Sequence, residues 1–247
     1  MRTHVIGIAS PKQGGKDMVK DILIDEIDKT TPSFSPHSTT EVIRFADPLK
    51  DLVCNLFGWD REKIDNDVHY KETPDSKWNE LSPRKALQLI GTEMFREGPL
   101  RDQYGITIWV QHFCNRIEDI SHWALHLTAV PNSETLYVIC PDVRFRDEMY
   151  AIKYRLNGTL IWVHPVPRIV EDPDAHKSER QMWNYDGYDY FIDSGHEMQK
   201  TIDEAKGVAG EILENTSTFV GEVGSIPPLA GDTDGDPSCM GSDMVGD

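Results

Sequence analysis

Residues 3–17 read THVIGIASPKQGGKD. The mostly apolar run 3–9 predicts a buried β-strand, and the proline and two glycines of 10–15 predict a turn directly after it. A helix is predicted from Lys16, because apolar residues recur there at a spacing of four with charged residues between them. These apolar positions are Val19, Leu23 and Ile27. The stretch therefore predicts a strand, a glycine turn and a helix, in that order.

The rest of the chain repeats this alternation of strand and helix patterns. Further strands are predicted over residues 41–45, 135–140, 159–164 and 188–192. Helices are predicted over residues 47–57, 83–96, 106–120 and 197–214, and from the turn at 141–144 to near 156. Asp47 is expected to cap the first of these, with Pro48 at the first helical position. Strands that alternate with helices predict an α/β fold with a parallel sheet covered on both faces.

Three segments do not follow the alternation. Residues 58–80 are polar and aromatic without a clear period, which predicts an inserted loop or small lobe. Residues 165–187 are rich in proline, aspartate and other charged residues, and we expect this segment to be a lid over the binding cleft. Residues 215–247 contain no Lys or Arg but six acidic residues, six glycines and three prolines. We therefore expect a folded domain over residues 1–214, followed by a disordered acidic tail.

Composition excludes several classes of protein. The formal net charge of −17 argues against a nucleic-acid binder, because such binding requires Lys and Arg to neutralise phosphates. A few basic groups in one cleft could still hold a small anion. The four cysteines form no CxxC pair, so neither a zinc site nor a disulfide framework is indicated. No stretch approaches the roughly 18 apolar residues of a membrane span, and we expect a cytoplasmic protein. A homodimer is left open.

The turn after the first strand has the parts of a phosphate-binding loop (P-loop). In such a loop, backbone N–H groups point at phosphate oxygens and a lysine reaches the β- and γ-phosphates. Gly14, Gly15 and Lys16 stand in the required places. The usual pattern, GxxxxGK followed by Ser or Thr, fails twice, since Ser10 occupies the first glycine position and Asp17 replaces the magnesium-binding hydroxyl. The alternative is an ordinary strand-to-helix turn with Asp17 as a helix-start carboxylate.

Residues 10–17 resemble the loop of the phage-type deoxynucleoside monophosphate kinases, in which Lys-Asp stands where other P-loops have Lys-Ser or Lys-Thr. The likeness continues in order through FADPLKD (45–51), LQLIGTE (87–93), IWV (108–110), VICPDVR (138–144), HKSE (176–179) and IDSG (192–195). It covers Val5 to about Leu213, with little likeness over residues 58–80 and none in the tail. Each piece is short, so their shared order is the stronger signal.

The resemblance implies a P-loop NTPase fold of three α/β/α layers with a five-stranded parallel sheet, a nucleoside-monophosphate-binding insertion at residues 58–120 and a lid at 165–187. It implies transfer of the γ-phosphoryl group of ATP, with Mg²⁺, to a deoxynucleoside monophosphate. This reaction belongs to nucleotide biosynthesis, in the host cytoplasm if the protein is virally encoded. Kinases of dephospho-coenzyme A or phosphomevalonate share a similar loop and are the alternative within the class. A P-loop protein that binds nucleotide without turnover is the alternative outside it.

The resemblance also assigns residues on the ATP side. ATP would be held by Lys12, Gly14, Gly15, Lys16, Asp17 and Met18. Asp142 ends an apolar strand, where a carboxylate can reach magnesium beside the phosphate loop, and Asp17 is the second candidate metal ligand. Arg144 could bridge the transferred phosphate and the accepting phosphate. The predicted catalytic residues are Lys16, Asp142, Arg144 and Arg180. Taken singly, Asp142 could be a helix N-cap and Arg144 a surface ion pair.

The acceptor side is predicted from three elements. Lys50 follows the second strand, a position similar to the acceptor side in monophosphate kinases, and its alternative is a solvated helix lysine. Gln88 and Thr92 share a helix face and could contact a base or sugar. The alternative is that they are ordinary polar residues on the surface of the helix. Trp109 could stack on a nucleobase, although tryptophan is more often part of a core. Arg144 would contact the acceptor as well.

The lid has three cations, Arg168, Lys177 and Arg180. Such cations reach the phosphates only when a lid closes and excludes water. Residues 176–179 could instead only start a short lid helix, because Ser178 and Gln181 fit a capping box.

Overall fold

The computed structural model describes residues 2–11, 14–30, 40–104, 107–127, 135–165, 182–183, 185–195 and 197–218. Five strands form one sheet in the order β2-β3-β1-β4-β5, and every neighbouring pair is parallel. The strands are β1 (Arg2–Ala9), β2 (Thr40–Val42), β3 (Thr135–Val143), β4 (Thr159–Pro165) and β5 (Tyr190–Ser194). The predicted α/β fold with a five-stranded parallel sheet is confirmed.

Helices alternate with these strands, and the inserted region adds several short ones. They are α1 (Lys16–Thr30), α2 (Asp47–Phe57), α3 (Arg61–Asn66), α4 (Val68–Glu72), α5 (Pro83–Gln88), α6 (Pro99–Tyr104), α7 (Ile108–Leu127), α8 (Arg146–Tyr150) and α9 (Met198–Thr218). A 3₁₀ turn covers Ser76–Trp78, and π turns follow α5 at Leu89–Met94 and α8 at Ala151–Arg155. In the part of the chain that the structure describes, no helix is long and apolar enough to cross a membrane.

Two layers of helices cover the sheet. On one face, Ile6 of β1 packs with Leu23 of α1 and with residues of α9. On the other face, Val5 packs with Phe113 of α7 and Met149 of α8. Successive residues of β1 therefore point to opposite faces, and both faces are buried, as expected for a central parallel strand. The predicted apolar stripe of α1 is confirmed, since Val19, Leu23 and Ile27 are fully buried.

Residues 58–80 form a small lobe around a separate core. Trp59 and Ile64 are buried there against Val53 of α2 and Ala86 of α5. Its short helices begin at acidic N-caps: Asp60, Asp67 and Asp75 accept hydrogen bonds from the N–H groups of Lys63, Tyr70 and Lys77. Ile64 is the buried residue of these three elements. Because such short helices bury so few side chains, the segment shows no helical period in the sequence.

The start of α2 differs from the prediction. β2 ends at Val42 rather than at residue 45, and the N-cap of α2 is Ala46. Asp47 is therefore the first residue of the helix and not its cap. The backbone of Phe45 and Ala46 is bound by a carboxylate from β3, as described below.

Other boundaries also differ. β3 continues to Val143, and the following helix begins only at Arg146. The helix predicted over 83–96 is α5 followed by its π turn, and α6 has no counterpart among the predicted helices. α9 continues to Thr218, past the predicted end at residue 214. Most of the predicted lid, and the predicted tail from residue 219, lie outside the described residues.

Candidate active site

A cleft of about 820 Å³ opens at the carboxyl ends of β1 and β3. Its walls come from the start of α1, the turn into α2, the helices α4 and α5, and residues 141–145, which include the end of β3. Eight of the residues predicted from the sequence line it: Lys16, Asp17, Lys50, Gln88, Thr92, Trp109, Asp142 and Arg144. The fold thus brings the candidates for both substrates to one place.

The glycine turn between β1 and α1 leaves no room for a side chain at either glycine. A Cβ on Gly14 would lie 1.9 Å from Ser10 Oγ. Gly15 has a φ of +82°, which favours glycine, and a Cβ there would lie 3.1 Å from Ser194 Cβ. Ser194 Oγ, at the end of β5, donates a hydrogen bond to the Gly14 carbonyl over 2.7 Å. The backbone of the turn is therefore held in place from β5.

Two polar groups of this turn remain available for an anion. Lys16 opens α1, and its ammonium lies 3.4 Å from Asp17 Oδ2, a carboxylate that is 68% exposed. Ser10 is buried, and its Oγ has no hydrogen-bond partner among the described residues. Backbone N–H groups at a helix start, beside an ammonium, favour a phosphate. Lys12 lies outside the described residues, and Met18 is not among the described residues that line the cleft.

Asp142 holds the turn that leads into α2. Its Oδ1 accepts a hydrogen bond from Phe45 N–H and its Oδ2 one from Ala46 N–H, each over 3.0 Å. Asp142 lies within β3, and α8 begins only at Arg146, so the alternative that Asp142 caps a helix is wrong. Asp142 Oδ1 also accepts a hydrogen bond from the Cys140 thiol over 3.3 Å, whereas Oδ2 keeps a second lone pair and can still bind a cation or its water.

Three cations of the cleft have no acidic partner within 4 Å in the described part of the chain: Arg44, Lys71 and Arg144. The surface ion pair considered for Arg144 is thus not found there. Burial, together with the nearby charges of Lys50, Arg84 and Arg144, lowers the pKa of Lys71 to about 8. Lys71 and the three cations that lower its pKa repel one another, so together these four provide a binding site for an anion.

Sequence reasoning missed Arg44 and Lys71. Arg44 follows β2 at the carboxyl edge of the sheet, and that position is a usable signal. Lys71 lies on a short helix of the aperiodic lobe, where the sequence carries no such signal. Lys50, in contrast, is already paired with Asp65 over 2.7 Å, and burial lowers its pKa. It is not the solvated helix lysine of the alternative interpretation.

Gln88, Thr92 and Trp109 lie on the wall formed by α5, its π turn and α7. The π turn brings both Gln88 and Thr92 to the cleft. Trp109 is 8% exposed, and its indole N–H donates a hydrogen bond to the Gly91 carbonyl over 2.9 Å. Its ring also meets Phe95 edge-on, with 5.5 Å between centroids. Trp109 therefore packs α7 against the π turn, and little of it is accessible from the cleft.

Comparison with known proteins identifies the family. No protein-family model matches the chain. A protein of Acanthamoeba polyphaga mimivirus described as "Putative deoxynucleotide monophosphate kinase" is 31% identical over 215 residues, which are 86% of this chain and 97% of the relative. The chain belongs to the deoxynucleotide monophosphate kinase family. Membership of this kinase family agrees with the parallel sheet and with a glycine turn between β1 and α1.

The resemblance to the deoxynucleoside monophosphate kinases implies Mg²⁺ together with ATP. Among the described residues, no group of three or more His, Cys, Asp or Glu side chains could hold a metal ion alone. Mg²⁺ in such sites commonly takes one or two carboxylates and completes its shell with phosphates and water. Asp17, which is mostly exposed, and Asp142, whose Oδ2 keeps a free lone pair, fit that need. The kinase residues predicted in the lid, Arg168, Lys177 and Arg180, lie outside the described residues.

Proposed function

We propose that the protein transfers the γ-phosphoryl group of ATP to a deoxynucleoside monophosphate, giving a diphosphate and ADP. One observation carries the proposal. Every acidic side chain that lines the cleft is already bonded, whereas Arg44, Lys71 and Arg144 are without acidic partners among the described residues. In a chain with a net charge of −17, this local excess of cations supports a site for phosphates. The mimivirus relative's name supports the class of acceptor.

The triphosphate of ATP would lie along the glycine turn. Backbone N–H groups of Gly15 and the first turn of α1 would bind phosphate oxygens, and Lys16 would bind the β- and γ-phosphates. Mg²⁺, held by Asp17 and Asp142, would neutralise charge on the phosphates. Because positioning and charge neutralisation supply most of the catalysis in phosphoryl transfer, no dedicated base is required.

The acceptor would lie across the cleft from the glycine turn. Its phosphate would be bound by Arg44, Lys71 and Arg144, while its base and sugar would face Gln88 and Thr92. Arg144 directly follows β3 and would bridge the γ-phosphate of ATP and the phosphate of the acceptor, as the Asp-x-Arg pattern implies. The reaction would be a step of nucleotide biosynthesis, because a deoxynucleoside diphosphate lies one phosphoryl transfer below the triphosphate that DNA synthesis consumes.

An acceptor panel tests the function. ADP release is measured with ATP and Mg²⁺ against every deoxynucleoside and ribonucleoside monophosphate, with dephospho-coenzyme A and phosphomevalonate added as the other class of acceptor. We expect at least one deoxynucleoside monophosphate to raise ADP release about 100-fold or more above the rate without acceptor. Turnover with only dephospho-coenzyme A or phosphomevalonate, or with no acceptor at all, would contradict the proposal.

A further inference from the structure

A buried charge cluster joins two walls of the cleft. Arg96 lies two residues past the end of the π turn after α5 and is 7% exposed. Its Nη1 contacts both carboxylate oxygens of Asp147, over 2.6 and 2.7 Å, and its Nη2 donates to Glu148 Oε1. The guanidinium also lies 3.5 Å from the centroid of the Phe145 ring. The cluster therefore connects the acceptor wall with the segment that follows β3.

The second oxygen of Glu148 binds the backbone at Arg144. Glu148 Oε2 accepts hydrogen bonds from the N–H groups of Arg144 over 2.8 Å and of Phe145 over 3.1 Å. One carboxylate thus holds the backbone of the 144–145 segment with one oxygen and Arg96 with the other. Through Arg96, this segment is tied to the π turn that carries Thr92.

Stability alone does not explain the cluster. It sets two carboxylates against one guanidinium. Burial and the negative charges of Asp147 and Asp142 raise the pKa of Glu148, and the guanidinium of Arg96 lowers it; the net result is a pKa raised to about 7. A buried ion pair of this kind usually contributes little net stability compared with apolar side chains of similar size. What the cluster does provide is a fixed geometry for the backbone beside a candidate catalytic arginine.

We propose that Glu148 and Arg96 are positioning residues, which fix the backbone at Arg144 and couple its placement to the acceptor wall. The inference rests on the proposed function, because that function assigns Arg144 to the phosphates. Glu148 is 2% exposed, so it acts through the two amides that it binds and not by contact with a substrate. The main effect of the pair is on the rate of transfer from bound substrates, not on the binding of ATP.

Glu148→Gln is the test variant and Asp147→Asn its matched control. A glutamine has a single acceptor oxygen, so it cannot serve the 144–145 amides and Arg96 together. Asp147→Asn removes one negative charge beside Arg96 but leaves those amides bound. We expect Glu148→Gln to lower kcat at saturating acceptor by about tenfold or more, with the KM for ATP changed less than about twofold, and Asp147→Asn to keep kcat within about threefold. Equal losses in both variants, or none in Glu148→Gln, would overturn the inference.

Two further measurements separate this role from folding. Hydrogen exchange at the Arg144 and Phe145 amides should be faster in Glu148→Gln than in the wild type and in Asp147→Asn. The triple variant Arg96→Gln/Asp147→Asn/Glu148→Gln removes all three charges of the cluster, so it leaves no buried charge without a partner and should still show the low kcat. Recovery of kcat in the triple variant would mean that the loss came from an unpaired buried charge and not from the lost hold on the Arg144 backbone, against the inference. If the wild type transfers phosphate to no acceptor, the proposed function falls and this inference with it; wild-type turnover matched by Glu148→Gln defeats the inference alone.

Discussion

Lys71 is a cation of the cleft whose charge depends on pH just above neutrality. Burial, followed by the charges of Lys50, Arg84 and Arg144, lowers its pKa to about 8. The ammonium form is therefore present below about pH 8 and is lost as the pH rises through that value. We expect kcat/KM for the acceptor to fall above about pH 8, because this ratio reports ionisations of the free enzyme and the acceptor is anionic.

The matched variant for this profile is Lys71→Arg. A guanidinium stays protonated over the whole accessible range, so the decline above pH 8 should disappear or move beyond about pH 9. The KM for ATP should not change, since Lys71 lies on the acceptor wall. The same decline in wild type and Lys71→Arg would show that another group causes it.

Some residues of the site could be predicted because the local sequence marks their place. Lys16 opens α1 directly after the glycine turn, and Asp142 and Arg144 come at the end of an apolar strand, where ligands of parallel sheets bind. Lys71 and Arg96 could not be predicted. They reach the cleft only through the packing of short helices, and nothing in their immediate neighbours sets them apart from a solvated helix face.

Among the secondary-structure elements, the π turn after α5 packs closely against α2 and α7. A Cβ on Gly91 would lie 2.4 Å from Leu49 Cδ2, and the Gly91 carbonyl accepts the Trp109 hydrogen bond. Gly91→Ala requires the end of the Leu49 side chain to move, so it should leave the protein about 1 kcal/mol less stable than the same change at an open helical glycine. Urea unfolding measures the loss.

Gly210→Ala is the control for this substitution. Gly210 lies inside α9, and a Cβ there would meet nothing within 4 Å. The same change of residue should therefore stabilise the protein by about 0.4–1 kcal/mol, because alanine restricts the unfolded chain and favours a helix. A similar free energy of unfolding for Gly91→Ala and Gly210→Ala would contradict the packing described for the π turn.

Long, periodic elements were predictable, and short or irregular ones were not. The buried strands and α1 follow from their apolar spacing. The α3 and α4 helices are only one or two turns long and are fixed by aspartate caps, so hydrophobic period cannot reveal them. The π turns could not be predicted, because the apolar pattern of the sequence continues through them with little change. One of these widened turns nevertheless brings Thr92 to the cleft.

At the scale of the whole molecule, the protein has a negative net charge, but its cleft has more basic than acidic side chains. The chain has a net charge of −17, yet seven basic and six acidic side chains line the cleft. The acidic ones are engaged in ion pairs or backbone hydrogen bonds, which leaves the field inside the cleft positive. The strand order places the glycine turn at the centre of the sheet, so both substrates can approach it from the carboxyl edge.

The central claim is that the turn between β1 and α1 binds the triphosphate of ATP, with Lys16 at its terminal phosphates. The most direct test is transfer of labelled γ-phosphate from ATP to the best acceptor by Lys16→Ala, with Lys29→Ala in the last turn of α1 as control. We predict that Lys16→Ala lowers kcat/KM by about 100-fold or more at an unchanged melting temperature, and that Lys29→Ala equals the wild type. Full transfer by Lys16→Ala would contradict the account.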